Sequence, residues 1–180
     1  MRVSISRDQV LKAFREVEQD PVFSNSVQIV KEGGMPLEMI QTMCANPDVL
    51  RGFGALSSSL YPGGSLEPEV KEIVILAASR ENACQFCVGS HVDLASSVGM
   101  DEPLEFLDLP EKRSLRQELA MTWTLAVMRD SNAVPDELFM QVKDCFGDAG
   151  VIELTMLVGY INMLNMFNNA LQNTYHGEMS

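Results

Sequence analysis

A chain of 180 residues, 46% of them hydrophobic, is long enough to enclose one real core, and no linker divides it, so a single domain over residues 1–180 is expected. Against 25 aspartates and glutamates stand 13 lysines and arginines, for a net charge of −12; the basic residues are scattered, which argues against nucleic acid as a partner. Four cysteines are too few for a disulfide scaffold, and Met1 to Gln9 carries Arg2 with no apolar run behind it, so no secretory leader is expected and the reading is cytoplasmic.

Ser6 is placed to cap a helix through Val10, Leu11, Phe14 and Val17, ending near Asp20-Pro21. Helical segments follow over Phe23 to Glu32, stopped by Gly33-Gly34, over Leu37 to Ala45, stopped before Pro47, and over Asp48 to Leu60. Tyr61-Pro62-Gly63-Gly64 is the strongest turn signal in the chain. In Leu66 to Ala83 the run Ile73 to Ala78 is apolar on every side, as in a buried helix or a buried parallel strand. Pro68 with Glu69 and Glu72 behind it is helix-start chemistry, and few other segments alternate with period two, so the run reads as a helix.

The next helix carries Cys84, Cys87 and His91, runs to Val98 and stops at Gly99, with Val88, Leu94, Ala95 and Val98 expected on the same inward face. Asp101 to Leu109 reads as a short connector or a single turn, closed by Pro110. A longer helix over Glu111 to Arg129 has Leu115, Leu119, Trp123 and Ala126 as its buried edge, and Pro135 to Phe146 forms another. Gly147 and Gly150 set off the last helix, Val151 to Gln172, the most apolar part of the chain. Glu153, Asn162 and Asn165 interrupt it before the ~20 residues a membrane span requires, so a buried helix, shared with a second subunit, is the reading and no membrane partner is expected. Glu72-Ile-Val-Ile-Leu-Ala echoes Glu153-Leu-Thr-Met-Leu-Val, as a degenerate duplication or as chance.

Reactive residue types concentrate in Glu81 to Ala95. At about 100° of rotation per residue, Cys84, Cys87 and His91 share one sector of a helix. An imidazole four residues from Cys87 can help remove its proton, and Asn82 as N-cap would set both cysteines near the positive end of the helix dipole. Two cysteines at this spacing can close a disulfide, one attacking an oxidant and the other resolving the sulfenic acid. Packing cysteines with a satisfied structural histidine are the bland alternative. A zinc site is another, with Cys44, Cys145 or His176 needed as a fourth ligand by tertiary placement. Glu72, at the start of an apolar helix, needs a partner if buried; a histidine or thiol proton relay, an ion pair with Lys71 or an arginine elsewhere, and a solvent-facing position are all open.

Glu72, a gap of twelve to Cys84, then Cys-x-x-Cys-x-x-x-His, resembles the AhpD-like alkylhydroperoxidase branch of the carboxymuconolactone decarboxylase family, and the text from Pro68 to Gly99, within the core motif region 66–99, reads like the family core. The resemblance implies an all-α, single-domain AhpD-like helical fold, assembly of identical chains into trimers or hexamers, and thiol-dependent peroxide reduction in antioxidant defence. By it Cys87 is the peroxide-attacking thiol, Cys84 the resolving partner, and His91 with Glu72 a proton relay. The partners implied are a hydroperoxide substrate and a thiol or dihydrolipoyl-type reductant, with no metal or bound organic cofactor. The decarboxylase branch generally lacks the cysteine pair. The best-known peroxidases of the group carry a histidine directly before the second cysteine, where this chain has Phe86. A redox-sensing or oligomeric scaffold protein with little turnover, or a structural metal-binding domain, are the alternative functions.

Overall fold

The computed structural model describes residues 1–177, with helices and connections and no strand among the described residues. Ser6 and Gln9 form a reciprocal capping box that starts α1 (Arg7–Val17), whose inner face is Val10, Ala13, Phe14 and Val17. A 3-10 turn (Pro21–Phe23) leads into α2 (Ser24–Lys31), followed by α3 (Glu38–Met43) and α4 (Pro47–Leu60), which Asn46 caps. These four helices form one wall of the main core.

The axis of the molecule is α5 (Pro68–Glu81), in which every residue from Val70 to Ser79 is buried. A helix buried on all sides must be enclosed by others. Here α6 (Gln85–Ser97), α7 (Pro103–Asp108), α8 (Leu115–Asp130) and α9 (Asp136–Leu171) supply the enclosure. Ile73, Leu76 and Ala77 face a second cluster with Ala95, Leu107 and Met121, while Val74, Ile75 and Ala78 join the main core. The buried-helix reading of the apolar run therefore holds.

Two boundaries differ from the sequence reading. The helix expected from Glu111 begins instead at Leu115, because Pro110–Lys112 makes a 3-10 turn and Ser114 with Gln117 forms a second capping box. Leu115, expected on the buried edge, is therefore the first residue beyond the cap and lies exposed; the inward set begins at Leu119 and includes Trp123. The break expected at Gly147 is a kink within α9, where Gly147 adopts φ 69°, ψ 173°, a conformation open to glycine. By length and composition α9 is apolar enough to cross a membrane, and half of its most apolar window is buried inside the protein.

Burying α5 completely encloses two charged neighbours, Lys71 and Glu72, and each has a dedicated partner. Lys71 donates to the Gly63 carbonyl and pairs with Glu153 of α9 at 3.4 Å. The same Glu153 carboxylate accepts the Ser65 N–H at 2.8 Å, the Ser65 hydroxyl at 2.6 Å and the Leu66 N–H at 3.0 Å. The segment from Gly63 to Leu66 is thereby stapled to α5 and α9 at once. Burial pushes the Glu153 carboxyl upward, but hydrogen bonds from Ser65 and Leu66 and the Lys71 charge outweigh it and hold the group below its ordinary range.

Because the folded carboxyl binds its proton less readily than the unfolded one, its stabilisation is present above the ordinary carboxylate pKa and is lost as pH falls through the lowered folded value. Glu153→Gln removes the countercharge of the Lys71 ammonium, which is 3% exposed and keeps only the Gly63 carbonyl. Urea unfolding at neutral pH is expected to show a loss of about 3 kcal/mol, shrinking towards zero in acid where the native carboxyl is itself protonated.

Candidate active site

The turn between α5 and α6 places the cysteines. Asn82 does not cap α6; its backbone N–H closes the end of α5 on Ala78 O, and Ala83 then takes a left-handed conformation at φ 50°. Cys84 is the N-cap, and its sulfur accepts the Cys87 N–H at 3.3 Å. The Asn82 side chain instead donates to Asn162 Oδ1 at 2.8 Å and Asn165 Oδ1 at 3.0 Å, its carbonyl accepts from Asn169 Nδ2 at 2.9 Å, and Asn165 Nδ2 donates to Ser79 Oγ at 3.0 Å. A set of amides on α9 thus locks the turn that carries the thiols.

Cys84 and Cys87 are joined as a disulfide, their Cα atoms 5.3 Å apart and so within the usual range for such a link. Cys87 occupies the first turn of α6, where helix-terminal N–H groups favour a negative sulfur. The inward side of α6 differs from the sequence reading: Phe86, Cys87, Ser90 and Ala95 are its buried residues, and Val88, Leu94 and Val98 are only half-buried.

Glu72, 1% exposed, meets both residues it needs. The Tyr61 hydroxyl donates to Oε1 at 2.5 Å, and His91 Nδ1 lies 2.9 Å from Oε2. The two rings meet edge-on with centroids 5.1 Å apart. Burial, and then the Glu72 charge beside it, push the Tyr61 phenol far above its ordinary value, so it remains a donor. A neutral imidazole that donates from Nδ1 to the Glu72 carboxylate presents its lone pair at Nε2. The structure therefore brings Glu72 to His91. It does not place Glu72 in solvent or against Lys71, whose partner is Glu153.

Cys87, His91 and Tyr61 line one cavity of about 200 Å³, whose other walls include Phe53, Leu37 and Leu164. Cys84, fully buried, is not among its lining residues. Two participants escaped the sequence reading. Tyr61 was visible only as a turn residue. Asn168, on α9 and 1% exposed, reaches the Cys87 sulfur with its side-chain amide at 3.4 Å. The signal for Asn168 is an amide within the most apolar helix, because such a group must find partners. Phe86 is buried edge-on against Tyr175, with centroids 6.0 Å apart, and the Tyr175 hydroxyl donates to Asp93.

The other cysteines and the second histidine lie in separate surroundings. Burial pushes the Cys44 thiol up to about 11, in keeping with a packing role. Cys145 sits beside Arg116, and His176 lies 3.2 Å from Glu38. Among the described residues no group of three or more His, Cys, Asp or Glu side chains is placed to hold a metal ion, so the fourth ligand required by the zinc alternative is not brought to Cys84, Cys87 and His91.

This is the helical fold of AhpD-like proteins. A peroxidase-related protein from Silicibacter sp. TM1040 superimposes with a TM-score of 0.76 at 20% identity, covering 99% of this chain and 95% of that one. A protein with an alkylhydroperoxidase AhpD core from Ralstonia eutropha JMP134 gives 0.75 at 19% identity, covering 89% and 87%. The debrominase Bmp8, in a cysteine-to-alanine form bound to 2,3,4-tribromopyrrole, gives 0.71 at 18% identity, covering 92% and 89%. Residues 47–103 match the family model for the carboxymuconolactone decarboxylase family. The resemblance read from Glu72 to His91 thus holds, since that stretch lies inside the segment that matches this family model.

Removing the Tyr61 hydroxyl leaves a buried Glu72 oxygen without its donor. Tyr61→Phe is expected to cost about 2 kcal/mol in urea unfolding.

Proposed function

We propose that the protein is a thiol-dependent peroxidase that reduces organic hydroperoxides through a Cys84/Cys87 dithiol-disulfide cycle. The observation that carries this reading is the division of the pair: Cys87 opens on an apolar cavity shared with His91 and Tyr61, while Cys84 is buried behind it. The Cys87 thiolate attacks the terminal oxygen of the hydroperoxide, the O–O bond breaks, and the alkoxide takes a proton and leaves as an alcohol, giving a sulfenic acid at Cys87. The Cys84 thiol then attacks the Cys87 sulfur, water leaves, and the disulfide closes. A thiol or dihydrolipoyl-type donor supplies two electrons and two protons to restore the dithiol, in a reducing compartment such as the cytoplasm.

In this reading His91 moves the protons at Nε2, and Glu72, held by Tyr61, orients the ring through Nδ1. Phe86 supplies no proton between the cysteines, so the relay rests on His91. Peroxide consumption with a dithiol donor tests the assignment: Cys87→Ser is expected to lose at least 100-fold in rate, on the order of the whole thiol contribution, and a variant as active as wild type sinks it. One equivalent of peroxide is expected to remove two titratable thiols per chain.

A second reaction class draws on the debrominase likeness and the apolar walls of the cavity: thiol-driven reductive removal of a halogen from a small aromatic ring. Halide release from a bromopyrrole, with no turnover of hydroperoxides, would favour it. We further propose that identical chains assemble through α9, as trimers or hexamers. Ile152, Met156, Met163 and Met166 are exposed at alternating spacings of four and three, with Gly159 between them, the repeat of a helix-helix seam. Met163→Glu with Met166→Glu is expected to yield monomers in sedimentation, and an unchanged mass would remove α9 as the contact. Oligomer size that changes on oxidation without peroxide turnover would instead favour the redox-sensing scaffold.

A further inference from the structure

We propose that Asn168 is a catalytic residue of the thiol site: its side-chain amide holds the Cys87 sulfur in the thiolate form, and Met39 and Asn173 fix the amide in the orientation this requires. The inference rests on the reading of Cys87 as the attacking thiol.

Asn168 Nδ2 lies 3.4 Å from Cys87 Sγ and 3.4 Å from Met39 Sδ. A neutral sulfur is a weak acceptor, so an amide buried between two of them recovers little of its desolvation if its role is packing alone. A thiolate is a charged acceptor, and its hydrogen bonds are about twice as strong. The contact is therefore best satisfied in the reduced, ionised protein, the state that attacks peroxide.

The direction of the amide is set from two sides. The Met39 thioether can accept but never donate, so the amino group and not the carbonyl must face it. On the other side, Asn173 Nδ2 donates to Asn168 Oδ1 at 3.0 Å, and the Thr42 hydroxyl lies 2.9 Å from Asn173 Oδ1. Asn173 reaches this position through the end of α9. Gln172 takes a left-handed conformation (φ 53°, ψ 45°), its N–H bonds Asn169 O at 3.3 Å, and the Asn173 N–H turns back to Asn168 O at 3.0 Å. This Schellman-type ending brings the two asparagine side chains together. The neighbouring groups have other partners, since the Cys87 N–H is given to Cys84 Sγ and His91 Nδ1 to Glu72.

The test uses reduced protein carrying Cys84→Ser, in which Cys87 cannot close its disulfide and serine preserves the helix cap. The rate at which iodoacetamide alkylates Cys87 is measured against pH, with the Cys87 peptide quantified by mass spectrometry. Adding Asn168→Ala is expected to slow alkylation at pH 7 by about tenfold and to move the profile to higher pH, with little change at the alkaline plateau. Asn168→Asp, which points a carboxylate at the sulfur, is expected to slow it further. An unchanged profile, or one slowed equally at every pH, overturns the proposal. If the Asn168 variants fail to fold, Asn173→Ala decides: a shift in the same direction of about threefold supports the proposal, and an unchanged profile overturns it. Alkylation reports the thiolate whether or not the protein consumes peroxide, so failure of this inference is separable from failure of the peroxidase reading.

Discussion

A carboxylate sealed inside a helical core governs the arrangement of this molecule. Glu72 is buried where an unpartnered charge is very costly, and both of its oxygens are engaged, one by a phenol and one by an imidazole. Tyr61 precedes a loop that would otherwise be free to move, and that loop is held by Lys71, the residue immediately before Glu72 in the sequence. Consecutive residues on one helix thus divide the work. Lys71 anchors the loop through Gly63 and Glu153, and Glu72 receives the tyrosine at the loop's start.

A similar division appears around the sulfurs. Four amides on α9, at positions 162, 165, 168 and 169, face the end of α5 and the start of α6. Three of them close the turn that holds Asn82, and the remaining one addresses Cys87. The buried face of α9 is otherwise largely apolar, with Leu154, Leu157, Val158, Ile161 and Leu164, and Asn165 and Asn168 are set among these side chains. The same helix leaves Ile152, Met156, Met163 and Met166 exposed on another side, the stripe that meets a second chain in the proposed assembly.

The helices were largely legible because each carries local information. Ser6 and Asn46 start their helices through side-chain hydrogen bonds made within a few residues, and Pro68 with Glu69 starts α5 through proline's fixed φ and an acid in the first turn. The shared sector of Cys87 and His91 was legible from helical rotation, whereas Glu72 sits on a separate helix and its meeting with His91 was implied only by the family resemblance. What escaped depends on contacts between distant segments. Asn168 meets Cys87 across 81 positions and Glu153 meets Ser65 across 88, and no periodicity announces such pairs. The misplacement of Asn82 has a different cause: the chain turns through a left-handed alanine at position 83, a residue with no preference for that conformation. The echo between the Glu72 and Glu153 segments does not extend to roles. One carboxylate serves an imidazole and the other a lysine, and Asn165, in the place matching Cys84, binds a serine.

Phe86 has a consequence that reaches beyond the protein's own side chains. Its ring and Tyr175 stand together against the first turn of α6, and Cys84 has no surface of its own. In the proposed cycle, then, the sulfur open to an incoming electron donor is Cys87, and the approach is through the apolar cavity. Whatever thiol closes the proposed cycle therefore meets the disulfide from a cavity walled by Phe53, Leu37 and Leu164, and not at an open surface.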